Sequence, residues 1–340
     1  MTFVGQKNKI SRCLLSDTLL SHNPPTVERP VQRWDVSLRR PGNRGQSPQA
    51  MVEARYFTEV ETFISQEDRA FWCYMKPHER PCFTRQLLAD LAGVQSLVAD
   101  VFDSRADEDE VPLTHLVLGS RAPGVFNLGG DLTLFSQRIR QRDREGLRRY
   151  ANACVDVAYA NHVGYENDVI TVALVQGDAL GGGFEAALSC GIIIAEKHAR
   201  FGLPEILFNL FPGMGAYSFL SRRVGAAKAE AIILSGRVYS AAEMHDLGIV
   251  DILAETGTGE QAARDYITRS RSKHNAQAAV NKVRRRVNPV TIQELRDVTE
   301  LWVETALRLT EQDLRKMAKL AAAQTRLRLR QAAAGALAAA

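Results

Sequence analysis

The sequence predicts an α/β fold in which short apolar strands alternate with helices. Two apolar runs, residues 113–118 and 170–176, each lead into a glycine turn and then into a stretch of helical character. Between residues 83 and 102, Leu87, Leu88, Leu91, Val94, Leu97 and Val98 recur at the spacing of one helix face. After Glu260 nearly every segment reads as helix. Alternation of this kind implies βα units joined by right-handed crossovers, followed by a helical C-terminal region.

Taken in order, residues 1–50 are rich in Pro, Arg, Asn and Ser and show no sustained period, so disorder is expected there. Patterned sequence starts at Met51, which leaves two readings open: a basic tail, or a gene start placed too early. Residues 55–64 alternate in part and read as a strand. A second strand over 67–75 ends at Lys76-Pro77, where proline stops it. Residues 132–162 read as one long charged helix whose Arg-rich run, 138–149, is a solvated face. Residues 184–189 open a helix, 191–196 a strand and 200–202 a very short one. Ser240 is the N-cap of a helix over 241–247 that Gly248 ends. The expected divisions are a core over 51–255, a helical region over 256–330 and a frayed Ala-rich end over 331–340.

Composition excludes several classes. With 340 residues, 45% hydrophobic and 24% charged, the chain can bury a sizeable core. Its net charge of +4 is carried by the first fifty residues, and the rest sits near −1. That distribution argues against a nucleic-acid surface. The five cysteines, Cys13, Cys73, Cys82, Cys154 and Cys190, form no C-x-x-C pair, which fits reduced thiols in the cytoplasm. No apolar run reaches transmembrane length, and no secretory signal is read at the N-terminus. No histidine pair has metal-ligand spacing.

The densest chemistry lies between residues 120 and 220. Gly181-Gly182-Gly183 follows the strand over 170–176 and opens a helix, so unpaired N–H groups and the positive dipole end face the turn. Upstream, Gly129-Gly130-Asp131 makes a second glycine turn at a second helix, with Asp131 in its first turn. Two such turns can stabilise a developing oxyanion through the N–H groups of Gly130 and Gly182. Glu185 closes the first turn, and Glu205 follows Pro204 twenty residues later. Two carboxylates beside backbone donors can move protons on a carbonyl compound without a metal or cofactor.

These residues resemble the crotonase (enoyl-CoA hydratase/isomerase) superfamily. Phe126 to Asp131 is similar to the family's F-x-x-G-x-D, Gly181 to Glu185 to its G-G-G-x-E, and Phe201 to Glu205 to its F-G-x-P-E. Ser235-Gly236-Arg237, Ala241-Ala242-Glu243 and Leu247 to Val250 resemble its downstream region. The resemblance covers about residues 110–255 and extends loosely to about 320. It implies a spiral of ββα units with C-terminal helices used in trimer contacts. It also implies an oxyanion hole from Gly130 and Gly182, catalysis by Glu185 and Glu205, and no cofactor.

Three further stretches, Phe126 to Leu132, Asn209 to Ser218 and Trp72-Cys73-Tyr74-Met75, are similar to the diffusible signal factor synthases within this superfamily. That similarity implies dehydration of a 3-hydroxyacyl chain on acyl carrier protein to the cis-2-enoyl form, then hydrolysis to release a cis-2-unsaturated fatty-acid quorum-sensing signal. It also implies a homotrimer or dimer of trimers and allows a sensor-kinase partner. An ordinary hydratase acting on CoA thioesters is the alternative, and a regulatory binding partner is a third reading. Which glutamate is acid and which is base stays open. Leu207, Phe208, Leu210, Phe211, Met214 and Trp302 are candidates for the acyl pocket, with Trp72 and Met75 behind them. Cys190 reads as a small buried residue.

Overall fold

A computed structural model describes residues 47–104 and 111–323. The expected tail up to residue 46 and the Ala-rich end over 331–340 lie outside the described residues. The boundary drawn at residue 50 falls inside a helix, α1 (Pro48–Glu53), which Ser47 caps and whose Met51 and Val52 are buried.

The strands form two sheets. An antiparallel hairpin of β1 (Val60–Ser65) and β2 (Ala70–Met75) leads to β3 (His115–Ser120), β5 (Ile170–Val175), β7 (Ile192–Glu196) and β10 (Ile252–Ala254), all parallel to β2. A smaller sheet holds β4 (Val125–Asn127), β6 (Asp178–Leu180), β8 (Arg200–Gly202) and β9 (Val238–Ser240), the last antiparallel. The chain therefore lays successive pairs, β3/β4, β5/β6 and β7/β8, as one strand in each sheet. A helical crossover separates each pair from the next, as expected of stacked ββα turns.

The helices follow sequence signals that are local. Thr84 caps α2 (Arg85–Asp103), whose apolar stripe from Leu87 to Phe102 is buried. The single helix expected over 132–162 is two, α3 (Leu132–Arg140) and α4 (Arg144–His162). Arg142 breaks it by taking a left-handed conformation, φ 52°, and Asp143 caps the second helix through the Gly146 N–H. Asp131 is the N-cap of α3, accepting from Thr133 and Leu134, one place earlier than expected. The arginines of this region bind more than solvent: Arg144 pairs with Glu300 at 3.0 Å and Arg140 with Glu311 at 3.1 Å. They tie α3 and α4 to α11 (Ile292–Ala306) and to the last described helix, residues 311–323.

The main core lies between the sheets and α2, α4, α5 (Gly182–Ser189) and α11. A second core lies across the large sheet, where α9 (Gly259–Ser270) covers Trp72, Val117, Val172 and Ile194. Phe63, Trp72 and Tyr74 stack there, with Arg264 over Trp72 and Arg121 over Tyr74. Trp72 is thus on the face away from the glycine turns and does not line an acyl pocket. No helix among the described residues is long and apolar enough to cross a membrane.

One buried carboxylate fastens the last strand of the large sheet. Glu196, 2% exposed, accepts from Gly257 N–H at 2.7 Å, Gly259 N–H at 2.9 Å and Gln176 Nε2 at 3.1 Å. Removing it strands buried donors, each at about 1–3 kcal/mol. Glu196→Ala should lower the unfolding free energy by about 2–4 kcal/mol in urea titrations. A loss below about 1 kcal/mol would show that the turn before α9 holds by packing alone.

Candidate functional site

The site forms where the two glycine turns meet. Gly181 takes φ +51°, and a Cβ on it would lie 2.6 Å from Glu205 Oε1, so any side chain would be strained and obstructed. Its N–H donates to the Gly202 carbonyl, which joins the end of β6 to β8. Gly129, φ +91°, abuts the same turn: a Cβ there would sit 2.8 Å from the Gly182 nitrogen.

Around Gly130 the backbone donors are accounted for. Leu128 N–H donates to the Pro81 carbonyl, Gly129 N–H to Asn127 Oδ1 and Asp131 N–H to the Tyr150 hydroxyl. Tyr150 in turn donates to the Phe83 carbonyl. Among the described residues the N–H groups of Gly130 and Gly182 donate to no protein acceptor, and both glycines line one pocket. Gly182 is the first residue of α5, so its free N–H is one of the helix's orphan donors.

Glu185 lies one turn into α5 and is 2% exposed. Its Oε1 accepts from Met214 N–H at 2.7 Å and Ala216 N–H at 2.9 Å. The Pro212-Gly213-Met214-Gly215 stretch thus serves as a clamp on this carboxylate. Glu205 sits in a 3₁₀ turn, Pro204–Phe208, that Asn209 ends in a left-handed conformation. Glu205 as a residue is only half-buried, yet its Oε2 is shut off from solvent and has no hydrogen-bond partner.

The two carboxyls differ for that reason. Burial pushes Glu185 above the ordinary carboxylate range, and the N–H groups of Ala216, Met214 and Gly215 pull it part of the way back. Burial also pushes Glu205 up, and the negative charge of Glu185 pushes it further. The N–H groups on Glu185 favour its ionised form, and Glu205, with an unpartnered buried oxygen beside that charge, is favoured neutral.

The pocket encloses about 60 Å³ and opens toward an outer cleft of about 710 Å³, the two sharing Leu128, Gly130 and Leu132. The cleft's wall carries Arg80, held by Asp131 at 3.0 Å through two nitrogens, and Arg140. Of the expected acyl-pocket residues, Phe208, Leu210, Met214 and Trp302 line the inner pocket. Leu207 and Phe211 do not line it: Leu207 points outward, 53% exposed, because the 3₁₀ turn places it opposite Phe208. Phe211 packs half-buried against the core instead. Met75 is buried in β2, with its sulfur accepting from Asn127 Nδ2. Cys190 is buried away from the pocket.

Sequence reasoning missed Phe83, Phe135, Tyr150 and Cys154, which complete the wall. Tyr150 and Cys154 share a helix face with Leu147 and Ala151, a period that was readable; its direction toward the glycine turns was not. No group of His, Cys, Asp and Glu among the described residues is placed to hold a metal ion.

Both carboxyls have folded-state values raised above the unfolded value of about 4.3. The folded state therefore binds their protons more tightly. Their contribution to stability is fully present below the unfolded value and is lost as pH rises through the raised folded range. Melting temperature should fall between pH 6 and pH 9 more steeply in the parent protein than in Glu205→Gln. Parallel curves would mean that Glu205 does not hold its proton in the folded state.

Known proteins resemble this chain in sequence and in fold. A profile described as enoyl-CoA hydratase/isomerase matches residues 94–321, well over half of the chain. A probable enoyl-CoA hydratase of Rhizobium meliloti is 39% identical over 135 residues, which is 38% of this chain and 51% of that protein. The matched stretch thus spans about half the length of that relative. The structure of an enoyl-CoA hydratase from Bacillus halodurans aligns with a TM-score of 0.63 at 22% identity, over 77% of this chain and all of that one. Pseudomonas aeruginosa DspI aligns with a TM-score of 0.54 at 22% identity, over 68% of this chain and 81% of that one. Likeness at that identity speaks for the fold. The chain belongs to the enoyl-CoA hydratase/isomerase family.

Proposed function

We propose that this member of the enoyl-CoA hydratase/isomerase family dehydrates a 3-hydroxyacyl chain carried on acyl carrier protein to the cis-2-enoyl thioester and then hydrolyses it. The product is a cis-2-unsaturated fatty acid of the kind used as a signal. The observation that carries the chemistry is the pair of carboxyls, Glu185 clamped by N–H groups and Glu205 with a buried, unpartnered Oε2, in a single apolar pocket with two free backbone donors. The carrier-protein and cis parts of the reading rest on the sequence resemblance alone.

The thioester oxygen sits between the N–H groups of Gly130 and Gly182, where charge develops as C2 loses its proton; one such donor is worth about 3–4 kcal/mol. Glu205 Oε1 lies against Gly181, beside that donor pair, so Glu205 faces C2, the carbon next to the carbonyl. Glu185, one helical turn further on, faces C3 and its oxygen. With the proton on Glu205, the pair is poised to add water: Glu185 takes a proton from water and Glu205 gives one to C2. Removal of water starts from the proton on Glu185: Glu205 accepts the C2 proton, Glu185 protonates the C3 hydroxyl, and water leaves. In the second step a water attacks the carbonyl carbon, the C–S bond breaks and the carrier thiol leaves with a proton. The same donors hold that oxyanion.

An inner pocket of about 60 Å³ is small beside ligand sites of roughly 300–1,000 Å³. A medium-length acyl tail therefore enters only when the lining parts. Phe135 and Trp302, whose rings meet 4.9 Å apart, join walls from different helices and are the place for it. The chain acts as a homotrimer or dimer of trimers in this reading; α10 (His274–Val287) carries Val280, Val283 and Val287 more than half exposed.

A second reading, hydration of trans-2-enoyl-CoA, is favoured by the name of the Rhizobium meliloti relative, a probable enoyl-CoA hydratase. Mass spectrometry of products from 3-hydroxydodecanoyl-acyl carrier protein, beside the matching CoA ester, separates the two. Free cis-2-dodecenoic acid from the carrier-protein substrate is expected. Glu185→Gln and Glu205→Gln should each lower the rate by about 10²–10⁴-fold. Reversible hydration of the CoA ester with no free acid would establish the second reading. The kcat/KM profile of the parent enzyme should be bell-shaped with both limbs above the ordinary carboxylate range. A profile flat from pH 5 to pH 9 would rule out a shared proton.

A further inference from the structure

At the far ends of α4 and α5 lies a cavity of about 110 Å³ that shares no lining residue with the carboxylate pocket. Four guanidinium groups line it: Arg222 and Arg223 on α6 (Ala216–Val224), and Arg284 and Arg285 on α10. The Asn281 amide and the His162 ring complete the polar wall. Arg222 forks Glu294 at 2.9 and 2.8 Å, and Arg223 reaches Asp251 at 3.3 Å and the carbonyls of Ile249, Cys190 and Gly191.

Arg284 and Arg285 meet no carboxylate within ion-pair distance among the described residues. Arg284 donates to Asn281 Oδ1 at 2.6 Å, and Arg285 donates to the Val163 carbonyl. Arg222 Nε and His162 Nε2 are buried without partners. Burial, then the neighbouring charge of Arg223, holds Arg284 below the usual arginine range, with Arg285 adding to the effect against Asp251. Burial, then the charges of Arg285, Arg284 and Arg222, push His162 down to about 4, so its ring is neutral near pH 7 and Nε2 can donate or accept by tautomer.

Arg284, exposed, and Arg285, half-buried, thus bring two guanidinium groups without a carboxylate partner to the lining of an open cavity, where an anion can reach them. Guanidinium groups match the oxygens of a tetrahedral anion with paired hydrogen bonds. At roughly 30 Å³ per water, the cavity has room for about three to four water-sized groups, the scale of one such anion. We propose that this cavity is an anion site for a phosphate-type group, either the free ion or the end of a phosphate monoester. It lies apart from the proposed reaction and does not depend on it.

Isothermal titration of the full-length protein with inorganic phosphate at constant ionic strength tests this, with phenyl phosphate and acetate run alongside. Saturable phosphate binding is expected, weakened at least tenfold in Arg284→Gln/Arg285→Gln and unchanged in Glu185→Gln. Binding of phosphate alone assigns the free ion; binding of phenyl phosphate as well assigns a monoester end. No saturable heat, acetate binding equal to phosphate, or undiminished binding in the folded double variant would overturn the proposal. A second measurement needs no variant. Phosphate should slow phenylglyoxal modification of Arg284 and Arg285, read by peptide mass spectrometry, and equal rates with and without it would also overturn the site.

Discussion

The structure of the site depends on how closely two backbone turns from successive layers of the fold approach each other. A Cβ on Gly129 would sit 2.8 Å from the nitrogen of Gly182, and a Cβ on Gly181 would sit 2.6 Å from the Glu205 carboxyl. Side chains at these places would hold the layers apart. Their absence brings two free N–H groups and two carboxyls into one pocket. The small sheet supplies the alignment, because β4, β6 and β8 run parallel and each ends beside a part of the site.

A site of this kind opposes stability, and the surrounding structure shows how the cost is contained. Two carboxyls in an apolar pocket cannot both ionise cheaply. Met214 in the loop before α6 and Ala216 at the start of α6 supply N–H groups to Glu185, while Glu205 Oε2 has none. The asymmetry gives the two carboxyls different environments within one pocket. Tyr150 performs a related task on the other turn, where its hydroxyl links Asp131 to Phe83 and leaves Gly130 as the free donor. The pocket wall thus has its polar groups hydrogen-bonded around the two free donors, while the rings of Phe135 and Trp302 meet on another side of it.

Much of this was legible in the sequence because it is local. The glycine turns, Asp131 as a helix-start acid, the Ser240 cap and the apolar stripe of α2 are each set within a few residues of one another. The turns and glutamates are linked by strands whose burial is evident from composition. What could not be read depends on tertiary direction. Arg142 breaks a helix that propensity alone continues, because its left-handed turn lets α4 fold back against α2 and α11. Trp72 sits in an unbroken buried strand, and only the placement of α9 decides which core it joins. Leu207 and Phe208 are neighbours in sequence with opposite fates, exposed and buried, since the 3₁₀ turn rotates them apart.

In the proposed mechanism the pocket keeps one proton, which Glu205 holds at rest while Glu185 stays ionised. Infrared difference spectroscopy of the carboxyl region at pH 7, comparing the parent protein with Glu205→Gln and Glu185→Gln, reads this directly. A neutral-acid carbonyl band is expected in the parent, lost in Glu205→Gln and kept in Glu185→Gln. A parent spectrum with no neutral-acid band, or a band that disappears only in Glu185→Gln, would contradict it.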